Sequence, residues 1–353
     1  EGTGIEPTRA NGFRYLEILQ AQLRPSGLNG FPFGVNDFRL PVALYELRRR
    51  SQNVPEIVTQ LDQAAGLLFA GKCREAEVVL EKVGSAISKQ PALFADGAEA
   101  PDPNYRLASD ILYRSGDGVS AAMQQRCRLD VYYPVNRKAF STVIWFHGGG
   151  LSKGERSIPL PLRNKDVAVV SVNYRLAPGV KSPVYLEDAA AAIAWTFKNI
   201  AKYGGSADSI FLSGHSAGAY LSTMAALDPK WLAAHDIPTA RIAGLIPFSS
   251  QMITHFAVRE ERGYDKNQAV VDDMAPLFHI QKNLPPMLLL TGDREQELYG
   301  RYEENAYFYR MAKLAGHEDV ALRELQGFDH AKMPEPGFPL LLRFMEAHSG
   351  KRN

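Results

Sequence analysis

A serine held between glycines, Gly214-His215-Ser216-Ala217-Gly218, is the group of residues in this chain best suited to chemistry. An apolar run, Ser209 to Ser213, leads into it, and a helix-compatible stretch, Ala219 to Ala226, leads out. A sharp strand-to-helix turn forces its central serine into strained backbone angles and lifts the hydroxyl clear of the sheet. The flanking glycines leave room where any Cβ would collide with the neighbouring strand and helix. The next backbone N–H, that of Ala217, points into the same space. Such a hydroxyl is suited to nucleophilic attack on a carbonyl carbon, with a covalent intermediate.

That chemistry needs donors for the negative charge that builds on the carbonyl oxygen. Thr142 to Phe146 reads as a buried strand and runs straight into His147-Gly148-Gly149-Gly150. Successive glycines let a backbone approach a ligand closely and aim N–H groups at it. The oxyanion hole is therefore assigned to the N–H groups of Gly148, Gly149 and Ala217. Losing one such donor typically costs about 2.7–4 kcal/mol of transition-state stabilisation. The loop shows neither Gly-x-Gly-x-x-Gly nor a Gly-Lys-Ser/Thr ending, so it is not read as a phosphate cradle. His147 is expected to brace the loop rather than to move protons.

Taken in order, His147 to Gly150, Val172-Asn173-Tyr174-Arg175-Leu176-Ala177-Pro178, Glu187-Asp188-Ala189, Tyr203-Gly204-Gly205 and the serine pentapeptide resemble the α/β-hydrolase superfamily. Within it they resemble the esterase branch of the hormone-sensitive-lipase-like and BD-FAE-like families, which includes feruloyl and acetyl esterases and kynurenine formamidase. The likeness covers roughly residues 105 to 348. It implies an α/β-hydrolase fold, a mostly parallel central sheet flanked by helices, here with a helical N-terminal extension and a lid-like insert. It implies a serine hydrolase cleaving short-chain carboxylic esters, acetyl or feruloyl groups on carbohydrate among them, with a small-molecule substrate and no cofactor or metal. An arylformamidase-like amidase would use the same machinery. A catalytically silent binding protein on this scaffold is the reading from another class. Such descendants usually lose the serine, the histidine or the glycine loop, and all three are present here.

The superfamily order of serine, acid, histidine guides the rest. Met287 to Thr291 reads as a strand ending in Gly292-Asp293-Arg294-Glu295. The families resembled usually carry the acid three residues after that glycine, which selects Glu295; Asp293 is the rival and Glu297 the third choice. Ala321 to Leu325 alternates like a last strand, and His330 follows in Gly327-Phe328-Asp329-His330. His330 is the expected general base, with the carboxylate setting its tautomer. His279 and His317 read as surface or structural residues.

The elements that must position these groups fall into three zones. Residues 1–90 carry apolar residues at helical spacing over 40–50, 54–70 and 73–87. Residues 91–104, with Pro91, Pro101 and Pro103, read as a linker. From 105 to 350 strands alternate with helices, as in a mostly parallel sheet. Leu107–Tyr113 and Arg128–Tyr133 are expected to open the sheet as a hairpin. An insert over about 249–285, carrying Gln251, Met252, His255, Phe256, Tyr264, Met274 and Phe278, is expected to form a lid or one wall of the acyl pocket.

Bulk properties agree. A chain of 353 residues, 45% hydrophobic, can bury one large core and an accessory region. A net charge of +1 offers no field for nucleic acid or anionic membranes, and Arg48-Arg49-Arg50 reads as the wet side of a helix. No apolar stretch approaches the roughly 20 residues of a membrane span. Cys73 and Cys127 are too few for a metal site, and nothing supports pairing them. The chain starts at Glu1, so a removed leader would imply export; otherwise a cytoplasmic location is expected.

Overall fold

The computed structural model describes residues 55–69, 75–83 except 77 and 81, and 102–350 except 117 and 299. The expected helix over 40–50, most of the expected linker and Cys73 lie outside the described residues. The chain divides into two compact units between residues 101 and 102. In the first, helix α1 (Pro55–Phe69) buries Ile57, Leu61 and Ala64, a stripe at i, i+4, i+7. Helical residues between 75 and 83 repeat that spacing with Ala76, Leu80 and Val83.

The second unit is built on one eight-stranded sheet. In chain order its elements are β1 (Tyr105–Leu112), α2 (Ala121–Arg126), β2 (Arg128–Pro134), β3 (Phe140–Phe146), β4 (Ala168–Val172), α3 (Val184–Tyr203), β5 (Gly205–His215), α4 (Ala217–Leu227), α5 (Lys230–Ala233), β6 (Gly244–Phe248), α6 (Phe256–Glu261), β7 (Met287–Gly292), α7 (Arg301–Leu314), β8 (Val320–Leu325) and α8 (Pro334–His348). The strands lie in the order β1-β2-β4-β3-β5-β6-β7-β8. β1 and β2 pair antiparallel, as does β2 with β4, and every later pairing is parallel. The first two strands do pair as expected, but α2 lies between them rather than a tight turn.

Strand periodicity sorts the core into two layers. Ile144, Phe146, Val170, Leu212, Leu245 and Leu289 face one side, with α3 and α4. Val143, Trp145, Val169, Phe211, Ile246 and Leu290 face the other, with Phe338, Leu341 and Met345 of α8. Strands covered on both faces are nearly continuous apolar runs, which accounts for the unbroken burial of β4, β6 and β7. Because β3, β5, β6, β7 and β8 run parallel, their carboxyl ends share one edge of the sheet, the usual place for a ligand crevice. The glycine loop, Ser216, Asp293 to Glu297 and the loop to His330 all leave from that edge.

Candidate active site

Ser216 alone makes the turn between β5 and α4, at φ 55° and ψ −117°. Its N–H donates to Phe248 O (2.9 Å), and its carbonyl accepts from Tyr220 N (3.0 Å), the first helical bond of α4. Backbone crowding explains both glycines of the pentapeptide. A Cβ on Gly218 would stand 2.1 Å from Phe146 O, and one on Gly214 would stand 2.6 Å from the same oxygen. The end of β3 is thus pressed against the elbow, so the glycine loop that follows arrives beside the serine.

Gly149 and Gly150 take φ values of 115° and 64°, and Gly149 O accepts the N–H groups of Ser152 and Lys153, each at 3.1 Å. A Cβ on Gly149 would meet Lys153 O at 2.0 Å, so only glycine fits. Gly148 lies across from the nucleophile: a Cβ on it would stand 3.4 Å from Ser216 Cβ. Among the described residues, no backbone carbonyl takes the N–H of Gly148, Gly149 or Ala217. His147 braces this loop, as expected. Its Nδ1 donates to Gly148 O (2.7 Å), its ring stacks on Tyr174 at 4.4 Å, and the Tyr174 hydroxyl donates to His147 O (2.9 Å). Burial pulls its imidazole down to about 4, which keeps it neutral.

His330 sits in the loop after β8. Its Nδ1 lies 2.8 Å from Glu297 Oε2 and 2.9 Å from Ser249 Oγ. The Glu297 side chain is 1% exposed; its Oε1 also accepts Gly292 N–H (3.0 Å) and its Oε2 Leu298 N–H (2.9 Å). Burial by itself pushes this carboxyl up. The hydrogen bond and charge of His330, with the Gly292 N–H and the Ser249 hydroxyl, more than offset it and hold Glu297 at about 2. An ionised carboxylate can only accept, so Nδ1 carries the proton and Nε2 is left as the basic nitrogen.

Two ties join the serine side to the histidine side. His215, beside the nucleophile, donates from Nε2 to His330 O (2.8 Å), with the two rings 4.6 Å apart. Burial, reinforced by the neighbouring His330, pulls His215 down to about 3, so it stays a neutral donor. The second tie is the end of β6. Phe248 O holds the Ser216 N–H, and the next residue, Ser249, reaches His330.

The carboxylate against the imidazole is Glu297, not Glu295 or Asp293. One helical turn follows β7, in which Asp293 O accepts the N–H groups of Gln296 (2.9 Å) and Glu297 (2.8 Å). Residues two apart on such a turn point about 200° apart, so positions 295 and 297 cannot both face His330. Glu295 is exposed, its N–H held by Asp293 Oδ1 (3.0 Å). Asp293 instead stitches β7 to the histidine loop: Oδ2 accepts Gly327 N–H (2.6 Å), and its own N–H donates to Phe328 O (2.8 Å). Of the insert residues, Gln251, Met252, His255 and Met274 are buried, while Tyr264 and Phe278 are exposed. Phe256 lies on the glycine loop, with its Cζ 3.0 Å from where a Gly150 Cβ would be. His317 is buried, and His279 Nε2 donates to Asp273 O (2.8 Å).

A truncated carbohydrate esterase from gut microbiota superposes on this structure with a TM-score of 0.60, at 19% identity, over 72% of this chain and 100% of that one. The chain has the α/β-hydrolase fold. Thermogutta terrifontis esterase 2 with butyrate bound superposes at a TM-score of 0.53 and 20% identity, over 71% of this chain and 97% of that one. Residues 129–236 match the BD-FAE family model. The Mycobacterium tuberculosis esterase LipQ is 27% identical over 257 residues, 65% of this chain and 59% of LipQ. Esterase LipC of the same organism is 26% identical over 221 residues, 56% of this chain and 51% of LipC. The chain thus spans between about half and three-fifths of the length of these relatives.

Within this fold the Asn173–Pro178 and Glu187–Ala189 motifs serve structure. Arg175 clamps the buried Asp188 through Nε and Nη2, both at 2.8 Å, and Arg114 adds a third contact at 2.6 Å. A fully buried carboxylate needs such partners, and the clamp fixes the chain that leaves β4 against the start of α3. Trp145 and Tyr185 pack in the core, as expected of them. Cys127 is a buried free thiol, and among the described residues no helix is long and apolar enough to cross a membrane.

Proposed function

We propose that the unit from residue 102 onward hydrolyses short-chain carboxylic esters through an acyl-enzyme on Ser216, with His330 as general base and acid, and Glu297 as the orienting carboxylate. Ser216 Oγ attacks the ester carbonyl while His330 Nε2 takes its proton. The tetrahedral oxyanion is received by the N–H groups of Gly148, Gly149 and Ala217. The imidazolium, steadied by ionised Glu297, then protonates the departing alcohol; water repeats the sequence and frees the acid. Support comes above all from the shared end of β6, where consecutive residues hold the serine N–H and the histidine Nδ1. The esterase names of LipQ, LipC and the structural neighbours favour ester over amide substrates. The contact of Phe256 with Gly150 favours the 249–285 insert as a wall of the acyl pocket.

The test is hydrolysis of p-nitrophenyl acetate and butyrate, with acetylated sugars, feruloyl esters and N-formylkynurenine in parallel, and labelling by a fluorophosphonate. Ester turnover with label on Ser216 is expected. A protein that neither turns over any of these nor takes the label would be the silent scaffold instead, and N-formylkynurenine as the one good substrate would make it an amidase.

A further inference from the structure

Ser249 sits where a glycine would cost less. Its φ is 52°, in the left-handed region that residues with a Cβ rarely enter, and it is fully buried. All three of its polar groups are engaged. The N–H donates to Leu290 O at 2.7 Å, the carbonyl accepts from Arg301 Nη1 at 2.6 Å, and Oγ lies 2.9 Å from His330 Nδ1.

The first turn of α7 fastens this backbone. Arg301 is itself buried; Asn305 Nδ2 donates to Ser250 O (2.8 Å), and Glu304 Oε2 accepts the Met252 N–H (2.7 Å). Three polar side chains on one helix turn are thus spent on residues 249–252. The Nδ1–H of His330 consequently has two acceptors from different strands, Glu297 after β7 and Ser249 after β6. One acceptor leaves the ring free to swing about a single hydrogen bond, whereas two fix its plane.

We propose that Ser249 is a positioning residue for the hydrolytic reaction: with Arg301 locking its backbone, its hydroxyl fixes the plane of the His330 imidazole toward Ser216. The inference rests on the hydrolase reading above.

Ser249→Ala and Ser249→Gly test it, assayed on p-nitrophenyl butyrate beside the wild type, with thermal unfolding of each. Both should lose kcat by roughly 10- to 100-fold, the scale of a small misplacement of a reacting group, with KM within about twofold. Fluorophosphonate labelling of Ser216 should slow in proportion. Ser249→Gly should unfold at a temperature no lower than the wild type, because glycine relaxes the positive φ; its lost turnover would then not be a folding defect. A glycine variant with wild-type kcat, or variants in which KM alone rises, would overturn the role while leaving the hydrolase reading in place. A wild-type protein inert to every ester and to the label would remove both.

Discussion

The two sides of the candidate site are built by different means. On the serine side, position is set by backbone against backbone: Gly214 and Gly218 are pressed to the end of β3, and Gly149 to Lys153 O. On the histidine side, position is set by polar contacts of side chains, with Glu297 and Ser249 on Nδ1, Asp293 on Gly327 and Arg301 on Ser249 O. Steric crowding admits one residue type at a fixed place. A hydrogen bond can be delivered by several residue types from several points on a turn. The first side is therefore intolerant of any added atom, while the second should tolerate changes that preserve its donors and acceptors.

Replacing the proposed nucleophile sets the scale for that contrast. Ser216→Ala should lose on the order of 10⁴–10⁶-fold in kcat with its near-ultraviolet circular dichroism unchanged, since alanine meets about the same strain as serine there. Next, Glu297→Gln should lose about 10²–10⁴-fold, because an amide cannot stabilise the imidazolium, while Glu295→Gln stays within about twofold. Equal losses in the two variants, measured as kcat/KM on one ester, would break the assignment of the acid. Asp293→Asn should fall between them, since its contact with Gly327 braces the loop without touching the imidazole.

Stability sharpens the comparison from the other direction. Gly218→Ala should cost more than about 4 kcal/mol in denaturant unfolding, or prevent folding, because a methyl group cannot be reconciled with a backbone oxygen at 2.1 Å. A milder cost would mean that β3 can move away from the elbow. The last effect, spread over several pH units, concerns protonation. Burial lowers His215 to about 3 and His147 to about 4 from an ordinary 6.5. Below pH 6.5 the unfolded chain takes up protons that the native protein refuses, so stability falls with pH down to those values. Each histidine contributes a slope of up to roughly 1.4 kcal/mol per pH unit. Glu297, held at about 2 against an ordinary 4.5, adds its own loss below pH 4.5. His215→Gln should flatten the slope between pH 6 and 4 in urea titrations; an unchanged slope would show that the imidazole is accessible to protons.

How much of this was readable beforehand follows the same division. Apolar runs such as Thr142–Phe146 and Met287–Thr291 announced doubly covered strands, and the glycines announced the crowded turns. The place of His330 at this edge was legible because it follows the last strand. The carboxylate that meets His330 was not, because Glu295 and Glu297 differ only in where one helical turn aims them, and a turn set by Asp293 O leaves no mark on side-chain pattern. Ser249 carried no signal at all, being an ordinary residue whose importance lies in its φ angle. The short helix α2 leaves no trace in the sequence for a related reason: none of its residues is buried, so it has no apolar stripe.

One consequence follows from α4. Every residue of this helix is buried, and its amino end opens at Ser216, itself only 8% exposed. The positive pole of its peptide dipoles thus faces the site through protein rather than through water, where mobile ions do little to weaken it. Turnover of an uncharged ester should accordingly be almost indifferent to ionic strength.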